Sequence, residues 1–171
     1  MDESGNFHRG LLVQPNCTNC PLRGERIVPP EGNPHAKVAI VGEAPGTQEV
    51  MDGRPFIGPT GQYVDKMLSQ IGTSRFYFWI TNAALCKPKT VKYQDKLLNA
   101  DQALRIAAEH CRPRLLAELR VVNPKVVLGF GAQSVRSVYD PKSTMKGRRG
   151  GVHVIDLGAD SALPPESPDE T

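Results

Sequence analysis

Lys37-Val38-Ala39-Ile40-Val41-Gly42-Glu43-Ala44-Pro45-Gly46 decides how this chain is read. Lys37 to Gly42 is a short apolar run ending in glycine. It reads as a strand buried on both faces, with Glu43 to Gly46 as the loop leaving its carboxyl end. Downstream, Thr60 is expected to cap a helix reaching about Ile71, with Val64, Met67, Leu68 and Ile71 on one face and Gly72 as the stop. Residues 76–81 are aromatic and β-branched and predict a second strand. Asn99 or Asp101 opens a helix through about Arg120, carrying Leu104, Ala107, Ala108, Cys111, Leu115 and Leu119 at helical spacing. Pro113 inside it predicts a kink or a restart. Residues 124–129 predict a third buried strand, 132–139 a short helix, and 152–155 a fourth strand. Strands alternating with helices imply a three-layer α/β fold, with a central, mostly parallel four-stranded sheet flanked by helices. Ligands of such sheets bind at the carboxyl ends of the strands, so the loops at 43–61, 82–92 and 129–134 are the candidate binding loops.

At 171 residues the chain is long enough for one domain with its own core. Sixteen glycines and 15 prolines point to a loop-rich molecule. No apolar run approaches the roughly 18 residues of a membrane span. Residues 1–10 carry no apolar signal core, so a cytoplasmic location is expected. The net charge of +3 is mild, but it is unevenly spread. Five of the 18 acidic residues and none of the 21 basic ones fall in residues 156–171, which divides the charge into +8 for residues 1–155 and −5 beyond. The expected organisation is one domain over 1–155 and an acidic, proline-rich, disordered tail over 156–171.

The four cysteines are expected to be reduced thiols, for metal or catalysis rather than disulfides. Cys17 and Cys20 are two residues apart; Cys86 follows after 65 residues and Cys111 after another 24. Spacing alone leaves three readings open. One is a single chelating pair with two buried free cysteines. A four-cysteine zinc site usually presents two close pairs. An iron–sulfur cubane, with four separate iron corners, suits one pair and two distant singles slightly better.

The series Val41-Gly-Glu-Ala-Pro-Gly46, Gly53-Arg-Pro-Phe-Ile-Gly58 with Gly61, Thr81-Asn82 ahead of Cys86, and Cys17-x2-Cys20 resembles the family-4, iron–sulfur uracil-DNA glycosylases. The match runs from about Cys17 to Gly151. The resemblance implies a [4Fe–4S] cluster on Cys17, Cys20, Cys86 and Cys111, and removal of uracil from DNA in base excision repair. It implies Gly42, Glu43, Ala44, Phe56 and Asn82 as uracil-binding residues. Phe56 would stack a base flipped out of the helix, and Asn82 would read its edge. An amide can accept from uracil N3–H and donate to O4, a pattern that cytosine reverses. Departure of the base leaves positive charge on the sugar, so a carboxylate holding a water is wanted. Glu43 is the first candidate and Glu49 the second, making Glu43 and Asn82 the expected catalytic pair.

Two basic runs are candidates for phosphate contacts. Lys87, Lys89, Lys92 and Lys96 form one, and Lys142, Lys146, Arg148 and Arg149 the other; Lys87, Lys89, Lys92, Arg148 and Arg149 are the expected DNA-binding residues. The expected partner is uracil-containing DNA, met by a monomer with no membrane association. The segment between Cys86 and Cys111 contains no histidine before His110, so no covalent trapping of DNA is expected. The His-Pro-Ser-type loop of the family is not found: Arg148-Arg-Gly150 leads into residues 152–157 and then the acidic stretch. His153 is expected to be structural. That absence favours a second reading, a non-catalytic or impaired DNA- or uracil-binding iron–sulfur member of the same fold.

Overall fold

The structure is a computed structural model that describes residues 7–140, 142, 150, 151, 153 and 155. Arg148, Arg149, Lys146, half of the expected fourth strand (152 and 154) and the tail at 156–171 lie outside the described residues.

Three parallel strands form the centre of the sheet. The Lys37–Gly42 run forms β3 (Val38–Gly42), β4 is Trp79–Asn82 and β7 is Val126–Gly129. β3 pairs in parallel with both neighbours, Gly42 standing opposite Asn82 and Val41 opposite Gly129. Two short antiparallel strands that the sequence reading did not anticipate, β1 (His8–Arg9) and β2 (Glu31–Gly32), extend the sheet on the β4 side. The order is β1-β2-β4-β3-β7, so the sheet has five strands among the described residues rather than the four expected. A separate hairpin pairs β5 (Val91–Tyr93) with β6 (Lys96–Leu98).

Alternation along β3 and β4 divides the core between two faces. Ala39, Val41 and Trp79 pack with Leu115, Leu119 and Val122 of α3 (Ala100–Val122) and Val138 of α4 (Ala132–Val138). Ile40, Phe78 and Ile80 pack with Val64 and Leu68 of α2 (Pro59–Gln70) and with Phe56. Helices thus cover both faces, as the three-layer reading requires. A third cluster joins Leu22, Ala83, Ala84 and Cys86 to Ala103, Ala107 and Ala108 of α3.

Several local expectations are corrected. The cap of α2 is Gly58 rather than Thr60, because Pro59 takes the first helical position, where its missing N–H and fixed φ are suited. Only Val64 and Leu68 of the expected face are buried; Met67 and Ile71 are exposed. Residues 75–77 form a single 3-10 turn instead of starting the strand, and Phe76 and Tyr77 are exposed. Among the described residues β7 stands at one end of the sheet, and Val126 and Leu128 are exposed rather than buried. α3 runs through Pro113 without a restart. Both Pro113 and Glu109, whose carbonyl loses its partner, are exposed, so water can satisfy the freed oxygen.

Candidate functional site

A cavity of about 280 Å³ opens at the carboxyl ends of β3 and β4. Gly42, Glu43, Ala44, Phe56 and Asn82 all line it, so the fold brings all five expected uracil-binding residues to one place. Phe130, which follows β7, completes the wall. It lies in one of the three loops marked from sequence, but no motif singled it out. Its ring meets Phe56 edge-on at 6.0 Å between centroids.

Gly42 permits this arrangement. A Cβ there would stand 2.4 Å from Asn82 Oδ1 and 2.7 Å from the Phe56 ring. Asn82 is the last residue of β4 and is buried. Its backbone is held from behind: Arg114 Nη2 donates to the Asn82 carbonyl at 2.8 Å, and Nη1 to Thr81 Oγ1 at 3.1 Å. Arg114 in turn pairs with Glu118 at 2.9 Å, and Trp79 Nε1 donates to the other Glu118 oxygen at 2.8 Å. A buried ion pair of this kind costs desolvation, and here hydrogen bonds on both partners offset it. Ala83 N–H and Ala84 N–H donate to the Gly42 and Glu43 carbonyls at 2.8 and 2.9 Å, fixing the two loops edge to edge.

The two candidate carboxylates differ sharply. Glu43 is half-buried and accepts one described bond, from Gln133 N–H at 2.9 Å, which tethers it to the start of α4. Glu49, on the short helix α1 (Thr47–Asp52), accepts from the N–H groups of Gly46 at 3.0 Å, Ile57 at 3.0 Å and Gly58 at 2.6 Å. Burial pushes its carboxyl up, but these N–H groups outweigh burial and hold its pKa below the usual carboxylate value. Glu49 therefore staples the 46–58 loop, and Glu43 is the carboxylate with capacity to spare.

The four cysteines converge on one small, mainly apolar cavity, together with Leu22, Ile27 and Ala107. Cys17 and Cys20 form a tight turn, with Cys20 N–H donating to the Cys17 carbonyl at 3.2 Å and Asn19 left-handed at φ 58°. Cys86 follows β4 in an isolated bridge to Ile27, and Cys111 comes from α3. Burial raises the pKa of Cys17 and Cys20 and pushes Cys86 up to about 12, with the neighbouring thiols adding to it. A cation bound among them would offset that cost by favouring the thiolate form. Among the described residues, no group of three or more His, Cys, Asp or Glu is close enough to hold one metal ion. The thiols share a cavity but do not crowd onto a single point.

Among the lysines, Lys87 Nζ donates to Thr47 Oγ1 at 2.7 Å, beside the Gly46 loop at the cavity rim. Lys89 pairs with Glu25, and Lys92 stands 3.7 Å from Asp95. His153 lies beside Tyr139, with ring centroids 5.2 Å apart.

Residues 29–168 match the family model described as the uracil DNA glycosylase superfamily. Three similar proteins are each named type-4 uracil-DNA glycosylase. The chain is 34% identical to that of Pyrobaculum aerophilum, over 78% of this chain and 63% of the relative. It is 31% identical to that of Thermotoga maritima, over 86% and 73%. It is 33% identical to that of Archaeoglobus fulgidus, over 82% and 69%. The alignment to the first of these spans a little under two thirds of that relative's length.

Proposed function

The chain belongs to the uracil DNA glycosylase superfamily, with the type-4 enzymes as its relatives, and from that premise we propose that it hydrolyses the N-glycosidic bond of deoxyuridine flipped out of DNA, in base excision repair. The observation that carries the reading is the meeting of Gly42, Glu43, Ala44, Phe56 and Asn82 in one cavity at the strand ends.

Phe56 offers the stacking face and Phe130 closes the same wall. The Asn82 amide accepts from uracil N3–H and donates to O4. Arg114 keeps the Asn82 backbone from yielding when the base presses on it. Glu43, tethered by Gln133 N–H, holds a water towards the sugar and stabilises positive charge developing there. Uracil is a reasonable leaving group once its developing charge meets fixed N–H donors of the loop after Gly42.

The cysteine set suits a [4Fe–4S] cluster. A single ion would draw all its sulfurs to about 2.3 Å of one point, whereas a cubane spreads them over four irons. Thiols lining one cavity without crowding fit the second case. Cys17, Cys20, Cys86 and Cys111 would hold the cluster, whose part is to tie the N-terminal turn, the loop after β4 and α3 together. DNA approaches over Lys87 at the cavity rim, with Arg148 and Arg149 as further phosphate contacts, and the working unit is a monomer.

The test is incubation with a uracil-containing oligonucleotide, followed by alkali cleavage of abasic sites. Cleavage at the uracil position is expected. No abasic product at stoichiometric enzyme with the cluster present would overturn the enzyme. It would favour the second reading, a uracil- or DNA-binding member without catalysis.

A further inference from the structure

We propose that Arg75 is a positioning residue for base recognition, holding Phe56 in the left-handed turn that sets its ring into the cavity wall. The inference rests on reading that cavity as the uracil pocket.

Phe56 has φ 54°, a conformation that bulky residues seldom adopt. Something outside the turn must hold it. One part is space: a Cβ on Gly61 would stand 1.7 Å from the Phe56 carbonyl oxygen, so only glycine lets the turn pack against α2. The other part is Arg75, whose Nη2 donates to that same oxygen.

All three guanidinium nitrogens of Arg75 are engaged. Besides Nη2, its Nε donates to Asp65 Oδ1 at 2.9 Å and its Nη1 to Glu31 Oε1 at 3.1 Å. The plane of the group is therefore fixed between α2, β2 and the Phe56 turn. Glu31 is fully buried and also accepts from Arg54, at 3.1 and 3.0 Å, and from Arg9 at 2.9 Å. Arg54 lies two residues before Phe56, so one buried carboxylate anchors the turn from both sides. Beyond Phe56, Glu49 takes the next two N–H groups. Arg75 is not among the residues that line the cavity, and its bond to the Phe56 carbonyl connects it to the wall. A lysine could keep the charge but not three coplanar donors.

The experiment compares the full-length chain with Arg75→Lys, Arg75→Met and Phe56→Leu, and combines Arg75→Lys with Phe56→Leu. Single-turnover uracil release, thermal unfolding and amide hydrogen exchange are measured. Arg75→Lys is expected to fold and to lose at least about tenfold in single-turnover rate. Its Ile57 and Gly58 amides should exchange at least about tenfold faster, with β3 and β4 amides unchanged. In the Phe56→Leu background, the same substitution should alter the rate less than about twofold. Equal losses in both backgrounds, or unchanged exchange at Ile57 and Gly58, would overturn the proposal. Should Arg75→Met not fold, Arg75→Lys carries the comparison. If the unmodified protein releases no uracil, the glycosylase reading fails, and the exchange measurement still decides whether Arg75 holds the turn.

Discussion

Gly42, Glu43 and Asn82 are few atoms, but their placement sets what the cavity can do. A methyl group at Gly42 has nowhere to go, because the Asn82 amide oxygen and the Phe56 ring already occupy its place. Gly42→Ala is expected to keep the fold and lose uracil release by about a hundredfold or more, since misplacing a reacting group by an ångström costs that much. Uracil release and a thermal melt, run together, check it. Glu43→Gln keeps an oxygen for Gln133 N–H, so its geometry should survive while its charge does not. A fall of about 10²-fold in single-turnover rate is expected. A full rate would remove Glu43 from the mechanism. The sequence ranked Glu43 above Glu49 on position alone. What separates them is the set of three N–H groups spent on Glu49, which no motif announces.

At the scale of elements, Glu49 makes α1 and the loop before α2 a single unit. Its pKa in the folded chain lies below the unfolded value of about 4.3. The unfolded state therefore binds the proton first. The stability from Glu49 is fully present above the unfolded pKa and is lost as pH falls through the lower, folded one. Thermal unfolding from pH 7 to pH 3 should show Glu49→Gln destabilised at neutral pH, with the gap to the unmodified chain closing in acid. At the start of α3, Asn99 Oδ1 accepts from Gln102 N–H at 2.9 Å and Gln102 Oε1 from Asn99 N–H at 3.0 Å. Losing this capping box in Asn99→Ala should cost about 1 kcal/mol in urea unfolding. Element identity was legible for β3, α2, α3 and α4 because apolar periodicity and caps are local signals. Phe76 and Tyr77 misled because aromatic content favours strands, yet both remain outside the core, in a turn whose first residue, Arg75, reaches to Glu31 and Phe56.

At the scale of the molecule, the mild +3 charge says little about how DNA would be met. Lys89 and Lys92 are each beside a carboxylate, while Lys87 stands at the cavity rim with a neutral hydroxyl. DNA affinity is expected to fall with salt, and Lys87→Ala should reduce the log–log slope by about one unit. Lys92→Ala should reduce it by less. Affinities measured across salt concentrations decide between them. For the cysteines, a brown protein with broad visible absorption is expected, bleached by Cys86→Ser; a colourless, zinc-containing protein would overturn the cluster.

The α/β class, the strand whose end opens the cavity and five of the residues that line it can be read from the sequence. Those properties reside in short runs, where periodicity, glycine and proline act locally. The folded chain alone shows which carboxylate has capacity to spare, that Phe130 closes the wall, that four cysteines spread over some ninety-five positions share one cavity, and that Arg75 grips Phe56. Each depends on groups far apart in the chain meeting at fixed distances. Those distances are set by how helices seat on a sheet, which a linear pattern does not encode.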